Sequence, residues 1–499
     1  MSSKNDEMVD QTNFIAQARV NDADHLSLKD AMKLYKKGIL WSLAISLGPI
    51  MEGYDVVLLG SFYGLTPFVE KYGTPEGIDS TMAISSAWQS AISCGSLAGC
   101  VIGLTFSALV AERLGYRTTL LISLALKCAF VFLTFFAHNI GTIVAGSVLM
   151  GIPWGILQVL PLTYMAEVVP LKLRGYMTSY INLCLVTGQL ISSGVVRGFS
   201  TRNDQWAYRV PLALQWAWVI PVLLGVIFAP QSPWWLVRQG RMDDAKKSLI
   251  RLTSQNCGVP FDADHEISSI IATNDHEVQL TADAGIMDCF KGTNLRRTEI
   301  VSMAMLVQTL CGFGLVSYCV VFLQRAGIDE TDSFSFTVGI FGIGWVGTVG
   351  KRTLFLAGLA GMLVILVVIG ALGAIDPTTG VSWAIGCLLL VLALVYDVSL
   401  GPLCFIIVAE IPATRLKMKS VSIARNVYNG FIITNIVVPK MLSVGSWNWG
   451  AKSGFFWAGM CLILFIWSYF RLPGMNSSAI HSALILDSWK DFCRDRYPF

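Results

Sequence analysis

The chain has 499 residues, of which 54% are hydrophobic and 14% are charged, and its mean hydropathy is +0.60. This composition excludes a water-soluble globule, because the apolar surface exceeds what a single core can bury. The net charge of +3 is too small and too scattered for a nucleic-acid partner. The sequence therefore predicts an all-α integral membrane protein whose solvent is the lipid bilayer.

The polar amino-terminal stretch, residues 1–37, lacks the short apolar core of a secretory signal and is predicted to be a cytosolic tail. By the positive-inside rule, the lysines just before the first apolar run keep this tail in the cytosol. They are Lys29, Lys33, Lys36 and Lys37.

Two sets of six apolar runs follow, each near the roughly 20 residues that a membrane-spanning helix requires. We number them spans 1 to 12: 39–62, 87–110, 118–136, 141–165, 176–196 and 210–229, then 300–323, 334–350, 353–374, 383–408, 421–438 and 454–469. The chain is thus divided into the tail, an amino-terminal bundle at 38–229, a cytosolic central loop at 230–297, a carboxy-terminal bundle at 298–471 and a cytosolic tail at 472–499.

An internal repeat supports this six-plus-six organisation. The segment 166–174 after span 4 begins Ala-Glu and contains Pro170 and Arg174, and the segment 409–415 after span 10 also begins Ala-Glu and ends at Arg415. Parallel repeats of this kind place a substrate site between the two halves, near the middle of the membrane.

The sequence Met-Glu-Gly-Tyr-Asp in span 1 is the strongest local signal for chemistry. Glu52 and Asp55 are three residues apart and therefore lie on one helix face. A carboxylate inside a membrane usually faces a water-filled cavity or a partner and can take up and release a proton. Asp55 is our first choice as the proton carrier. The alternative is that both acids only pair with bases that hold the bundle together.

Arg425 in span 11 is the natural partner for these acids, because its guanidinium keeps its charge inside the membrane. If span 11 begins later than residue 421, Arg425 is instead an interfacial residue whose long side chain reaches the surface.

Amide side chains inside the spans are candidate sugar ligands, since an amide both donates and accepts hydrogen bonds, as a polyol requires. They are Asn182, Gln189, Gln308 and Asn426. Aromatic side chains that could lie against a pyranose ring, or simply pack, are Trp154, Trp216, Phe313, Tyr318 and Phe405.

A tight cytosolic turn joins spans 2 and 3 and carries Glu112, Arg113 and Arg117 around Gly115. Its charges either pair across the two halves as an inner gate or belong to a solvated turn. No phosphate-binding glycine loop and no nucleophile with a base at catalytic spacing occurs in the sequence, so neither an ATP-driven pump nor an enzyme is predicted. No cofactor or metal is predicted either.

These features resemble the sugar porters of the major facilitator superfamily and, among them, the fungal α-glucoside (maltose) permeases. The resemblance rests on 51–55, the turn Glu112 to Arg117, the cluster Glu167, Pro170 and Arg174, the segment Pro230 to Arg238 that closes span 6, Gln308 to Tyr318, and Ser446 to Phe456. It implies twelve helices in two six-helix repeats and proton-coupled uptake of an α-glucoside such as maltose by alternating access.

The resemblance also implies roles for individual residues. It implies proton coupling at Asp55 and sugar contacts at Asn182, Gln189, Gln308 and Asn426. Gate residues on the cytosolic side are implied at Glu167, Arg174, Glu410 and Arg415. The expected partners are a sugar, a proton and the lipid bilayer, and the expected state is a monomer in a fungal plasma membrane with both termini cytosolic.

The sequence departs from the family at several positions. Cys100 in span 2 and Gln231 after span 6 stand where relatives carry acids, and span 8 lacks roughly ten residues before Lys351. The alternatives are a transporter of the same fold for a hexose or an exported metabolite, or a sugar sensor that does not transport.

Overall fold

A computed structural model describes residues 27–76, 81–254, 261–280, 286–317, 351–375, 378–412, 416–430, 433–442, 447 and 449–472. The predicted span 8 at 334–350, the aromatic candidate Tyr318 and the gate candidate Arg415 lie outside these residues, as does the carboxy-terminal tail from residue 473.

The amino-terminal half contains six helical spans, as the apolar runs predict. Span 1 consists of Lys36–Ile45 and Leu47–Phe62, and spans 2 to 6 are Ser86–Leu114, Tyr116–Phe135, Ile140–Val168, Leu171–Phe199 and Trp206–Phe228. In the carboxy-terminal half, span 9 is the single helix Lys351–Leu372 and span 12 is the single helix Ser453–Arg471. The other described spans consist of two helices each. They are Gly292–Leu310 with Gly314–Ser317 in span 7, Thr379–Val398 with Leu400–Glu410 in span 10, and Lys417–Gly430 with Ile433–Leu442 in span 11. Within the described residues, 10 helices are long and apolar enough to cross a membrane.

Spans 1 and 10 are interrupted at the same tetrapeptide, Ser-Leu-Gly-Pro, at 46–49 and 399–402. A proline cannot donate to the carbonyl four residues earlier, and its ring crowds that carbonyl, so the helix breaks ahead of Pro49 and of Pro402. Each serine at the break donates its hydroxyl to the carbonyl four residues before it, Ser46 to Ser42 and Ser399 to Val395. The two breaks give the candidate site irregular backbone in both halves.

Glycines bring neighbouring spans into direct backbone contact. A Cβ atom on Gly99 or Gly103 of span 2 would lie 2.0 Å from a carbonyl oxygen of span 4, and one on Gly53 of span 1 would lie 2.0 Å from the carbonyl oxygen of Leu185 in span 5. Small residues permit this close approach between membrane helices. Span 1 is thereby held firmly against span 5 at the position between Glu52 and Asp55.

Shorter elements lie outside the spans. The helix Thr66–Tyr72 and an antiparallel hairpin of Thr74–Glu76 with Thr81–Ala83 connect spans 1 and 2. On the other side of the membrane are the helices Leu28–Leu34, Pro233–Arg238, Met242–Leu252 and Ala263–Leu280 and the 3-10 turn Ile286–Phe290. The helix Met242–Leu252 buries Leu249 and Leu252 against the bundle and carries its charges on the other face.

Candidate functional site

The two carboxylates of span 1 are both buried, and their partners differ. Lys127 of span 3 donates its ammonium group to Oδ2 of Asp55, and the exposed fractions of these two side chains are 2% and 9%. Oδ1 of Asp55 is buried and has no hydrogen-bond partner among the residues that the structure describes. Asp55 is therefore held by a base from its own half of the molecule.

Sequence reasoning did not single out Lys127. The signal was present, because Lys127 is a lone cation in the middle of the apolar run of span 3, and such a residue is functional by default when it lies inside a membrane. Its partner could not be read from the sequence, since 72 residues separate the two groups.

Arg425 lies inside the bundle, with 2% of its surface exposed. The helix of span 11 begins at Lys417, earlier than the predicted residue 421. The early start and the burial of Arg425 favour the position inside the bundle over the interfacial alternative. Its guanidinium stacks over Phe405 at 4.9 Å and over Tyr428 at 5.6 Å from the ring centroids, and it faces the carboxyl group of Glu52. Arginine is well suited to such a position, because its planar cation binds aromatic faces.

Cys100 of span 2 interacts electrostatically with these charged groups. Its side chain is fully buried, and its thiol is within electrostatic reach of Glu52, Asp55, Lys127 and Arg425. The buried site therefore contains two acids and two bases around a small neutral side chain.

Two of the predicted sugar contacts meet across the interface between the halves. Gln308 of span 7 donates its amide to the carbonyl of Gly401 in span 10 at 3.3 Å. The amide nitrogen of Asn182 in span 5 lies beside the same glycine, 2.8 Å from where a Cβ atom on Gly401 would be. The irregular backbone beside Pro402 thus collects polar groups from both halves.

A second amide pair, which the sequence analysis did not predict, crosses the interface nearby. Asn429 of span 11 donates to Oε1 of Gln158 in span 4 at 2.9 Å, and both side chains are buried. Gln158 also faces Glu52. These amides therefore connect the acid in span 1 to the opposite half.

The other two predicted sugar contacts have different surroundings. Oε1 of Gln189 is buried without a hydrogen-bond partner. Asn426 donates to the hydroxyl of Thr105 in span 2 at 3.3 Å, near the exposed rim of the interface. Asn426 is therefore engaged with span 2, whereas Asn429, one helical turn later in span 11, is engaged with span 4.

Several buried polar atoms near the acids have no hydrogen-bond partner among the described residues. The donors are Nε1 of Trp154 and Nε of Arg425, and the acceptors are Oε1 of Gln189 and Oδ1 of Asn429. Unsatisfied buried groups are costly, so these four atoms are available to a polar ligand that both donates and accepts hydrogen bonds.

The aromatic candidates are arranged in two ways. Phe313 stacks on Tyr396 with ring centroids 3.9 Å apart, which joins spans 7 and 10. Trp216 donates its indole N–H to the carbonyl of Cys128 and packs against Phe132 and Phe135, so it belongs to the packing of spans 3 and 6.

The two halves are in contact at the ends of their spans that are predicted to face the cytosol. Lys419 at the start of span 11 forms an ion pair with Glu112 at the end of span 2, with 3.0 Å between Nζ and Oε1. Nearby, the hydroxyl groups of Ser107 and Ser422 are 3.2 Å apart. Oε1 of Glu410 lies 3.5 Å from where a Cβ atom on Gly175, the residue after Arg174, would be. The two halves are therefore in direct contact at the end of the molecule where spans 2 and 10 end and span 11 begins.

Glu167 lies in a network that joins the amino-terminal bundle to the start of the central loop. Its carboxylate accepts hydrogen bonds from Tyr116 at 2.9 Å, from Arg238 at 2.9 Å and from Ser232. Burial disfavours the charge of Arg238, but Glu167 and Tyr116 more than offset this, and the pKa of Arg238 lies above its usual value. Of the other predicted gate residues, Arg113 is exposed and Arg117 is half-buried.

A family model described as sugar (and other) transporter matches residues 41–481. The chain belongs to this family. The maltose permease MAL31 of Saccharomyces cerevisiae is 36% identical to it over 462 residues, which cover 90% of this chain and 75% of the permease. A general alpha-glucoside permease of the same species is 36% identical over 485 residues, covering 94% and 78%.

Solved structures agree on the fold. The transporter aligns with the proton:xylose symporter XylE of the major facilitator superfamily, bound to 6-bromo-6-deoxy-D-glucose, with a TM-score of 0.72 and 19% identity over 90% of this chain and 100% of that chain. The predicted twelve-helix major facilitator fold is confirmed, as is the prediction of a multi-pass membrane transporter rather than an enzyme.

Cys100 and Gln231, two of the positions where the sequence is predicted to depart from its family, occupy defined places. Cys100 lies among the buried charges, as described above. Gln231 lies against the turn between spans 2 and 3: its side chain is 2.6 Å from where a Cβ atom on Gly115 would be, and its Oε1 accepts from the backbone N–H of Arg117 at 3.4 Å. Gln231 therefore caps the first turn of span 3 without adding a charge.

Proposed function

We propose that this sugar transporter takes up an α-glucoside such as maltose together with a proton, by alternating access. The substrate class follows the names of the yeast permeases, which are 36% identical to this chain. The observation that carries the proton coupling is the buried pair of Asp55 with Lys127 beside a second buried acid, Glu52. The fold neighbour XylE is named a proton:xylose symporter, which is consistent with this proposal.

In this proposal Asp55 carries the proton, and Glu52 and Arg425 complete the coupling site. A carboxylate that can be neutral or ionised inside the membrane makes the energy of the transporter depend on its proton load. Because Glu52 also faces Gln158 and Trp154, its charge is felt by groups available to bind a sugar.

The sugar is proposed to bind between the halves, where Asn182 and Gln308 meet at Gly401. The full set of proposed sugar contacts is Asn182, Gln189, Gln308 and Asn426. Amides suit this role because sugar hydroxyls donate and accept hydrogen bonds at the same time. The unsatisfied atoms of Trp154 and Asn429 provide further donors and acceptors nearby.

The cytosolic charges are proposed to act as the inner gate that opens and closes during alternating access. The proposed gate residues are Glu112, Arg113, Arg117, Glu167, Arg174, Glu410 and Arg415. The ion pair of Glu112 with Lys419 supports this role, because it joins the two halves on the closed side. Opening toward the cytosol requires this pair to separate.

The proposal includes location and assembly. The chain is proposed to act as a monomer in a fungal plasma membrane, with both termini in the cytosol. The bundles at 38–229 and 298–471 would move against each other around the site, and the loop at 230–297 would connect them on the cytosolic side.

The test is uptake of labelled maltose by transporter-deficient yeast that express the chain at the cell surface. We expect uptake that collapses with a protonophore and in the variant Asp55→Asn. The matched control is Asp204→Asn, which removes an exposed acid from an outer loop and should leave uptake unchanged. Preference for glucose would replace the substrate but keep the mechanism. Absence of uptake of both sugars from a surface-expressed chain would contradict the proposal and favour another cargo or a sensor.

A further inference from the structure

A buried cluster of five side chains lies between spans 1, 2, 3 and 11. We call it the coupling cluster; its members are Glu52, Asp55, Cys100, Lys127 and Arg425. Tyr54 is also near Asp55, but its hydroxyl is engaged with the carbonyl of Pro211 at 2.7 Å. The formal charges of the cluster are balanced when both acids are ionised.

The two bases of the cluster differ in freedom of movement. Arg425 is held by stacking on Phe405 and Tyr428. Lys127 is a point charge on a flexible four-carbon chain, with three donors that can point in any direction. A change of partner is therefore open to Lys127 and restricted for Arg425.

Protonation of Asp55 creates a problem that the structure must solve. Once Asp55 is neutral, the ammonium of Lys127 has lost its counter-ion, and with 2% exposure of the side chain it has little access to water. Leaving one member of a buried pair uncompensated costs about 3–5 kcal/mol. Glu52 is the acid one helical turn away on the same face, and Cys100 lies among all these groups.

We propose that Lys127 is a mobile counter-ion shared between the two acids: it pairs with Asp55 while that carboxylate is ionised and turns to Glu52 when Asp55 takes up the transported proton. This inference rests on the proposed proton symport. The proton binds to Asp55 from the outer side and leaves to the cytosol as Lys127 returns to the regenerated carboxylate, so charge and protons balance over the cycle.

This movement connects the proton to the sugar. Glu52 faces Gln158 and Trp154, and Gln158 is bonded across the interface to Asn429. When the ammonium reaches Glu52, the acid turns from these groups toward Lys127, which changes the donors and acceptors available to a sugar. Proton binding at Asp55 thereby alters sugar binding a turn away, which is what coupling requires.

The experiment compares variants of the full chain in transporter-deficient yeast, with two measurements on labelled maltose: accumulation against a gradient, and exchange of internal for external sugar. We expect Lys127→Met to retain exchange but to lose accumulation and the stimulation of uptake by acidic pH, because Asp55 without its counter-ion keeps its proton through the whole cycle. Lys127→Arg, which keeps the positive charge, should restore part of the accumulation. Ser123→Ala is the matched control, a buried residue one turn earlier in span 3 that bonds only to the carbonyl of Thr119.

The variant Glu52→Gln tests the sharing of the lysine. We expect it to lose accumulation and to keep exchange, because Lys127 then has no second acid. Full accumulation in Glu52→Gln, or in Lys127→Met, would overturn the inference. If Lys127→Met does not reach the cell surface, Glu52→Gln decides the inference alone, because it leaves the pair of Asp55 with Lys127 in place.

Failure of the inference can be distinguished from failure of the proposed function. Wild-type chain that takes up maltose without any proton requirement contradicts the proposed symport itself. If the wild-type chain and the variants all couple maltose uptake to the proton equally well, only the proposed role of Lys127 is contradicted.

Discussion

The carboxylate of Glu167 joins span 4 to the start of span 3 and to the helix after span 6, through Tyr116, Ser232 and Arg238. Its side chain is 3% exposed and that of Arg238 is 25% exposed. Removing the charge of Arg238 would leave a buried carboxylate without its cation, which costs about 3–5 kcal/mol. We therefore expect Arg238→Met to lower the thermal unfolding temperature of the purified protein substantially.

The control for this prediction is Arg241→Met. Arg241 pairs with Asp244, but the two side chains are 57% and 41% exposed, and exposed pairs contribute at most about 1 kcal/mol. Equal losses of thermal stability in the two variants would contradict the prediction. The raised pKa of Arg238 adds a pH expectation: a base with a raised pKa loses its stabilising effect only as the pH rises through that pKa, so the difference between the variants should not change across the neutral range.

Gln231 offers a second test at the scale of one residue. Its oxygen accepts from the N–H of Arg117 at the start of span 3, where a negative charge would be favourable by about 0.3–1 kcal/mol. We expect Gln231→Glu to raise the thermal stability of the cytosol-closed state modestly and to slow transport. Gln239→Glu is the matched control, because the amide of Gln239 donates to the carbonyl of Glu112 and a carboxylate cannot. A rise in stability in both variants would contradict this explanation.

The candidate site was only partly predictable at the residue scale. Glu52, Asp55 and Arg425 were identifiable because a charge inside an apolar run is costly and needs a reason. The pairing of Asp55 with Lys127 could not be predicted from the sequence, since it depends on how spans 1 and 3 pack. For the same reason Gln158 and Asn429 were missed: an amide in a span has no distinctive sequence signal until its neighbour across the interface is known.

The contact between spans 1 and 5 gives a prediction at the scale of the element. A methyl group on Gly53 would lie 2.0 Å from the carbonyl oxygen of Leu185, which is backbone and cannot turn away. We expect Gly53→Ala to force the spans apart, to cost about 1–3 kcal/mol and to displace Glu52 and Asp55 together. Surface expression and maltose uptake should both fall.

Gly194→Ala in span 5 is the control for this prediction. A Cβ atom at Gly194 meets no other atom within 4 Å, and alanine in a helix interior is favoured over glycine by about 0.5–1 kcal/mol. Expression should therefore be equal to or above that of the unsubstituted chain. Normal uptake by Gly53→Ala would contradict the assignment of close backbone packing at this position.

Helical spans were the most predictable elements, because the length and apolarity of a run are enough to define a membrane helix. The breaks inside the spans were harder to predict from the sequence. The shared Ser-Leu-Gly-Pro sequence interrupts spans 1 and 10, but a proline in a membrane helix does not by itself say whether the helix bends or stops. The start of span 11 was set too late because its first turn carries Lys417 and Lys419, which hydropathy counts as loop although both are buried.

At the scale of the whole molecule, alternating access requires the cytosolic contacts between the halves to be strong enough to close and weak enough to open. The contacts here are of that kind: two serine hydroxyls 3.2 Å apart, and an ion pair whose side chains are 10% exposed at Lys419 and 42% exposed at Glu112. Such a pair contributes about 0.2–1 kcal/mol, which favours the closed state but is small enough for the transporter to open.

Exchange of the two charges tests this gate directly. We expect Glu112→Lys and Lys419→Glu each to reduce maltose uptake. In each variant like charges face each other between the two halves and disfavour the closed state. The double variant restores the attraction with the two charges exchanged and should recover much of the uptake. The effects of the two substitutions on uptake should therefore not add. A charge exchange of Lys246 and Asp264, an exposed pair within the cytosolic loop, is the control and should leave uptake unchanged. If the two substitutions act independently, the fraction of uptake left in the double variant equals the product of the fractions left in the two single variants. That result would mean that the pair does not act across the halves. The closing contacts would then have to be sought at Ser107 with Ser422 and at Glu410.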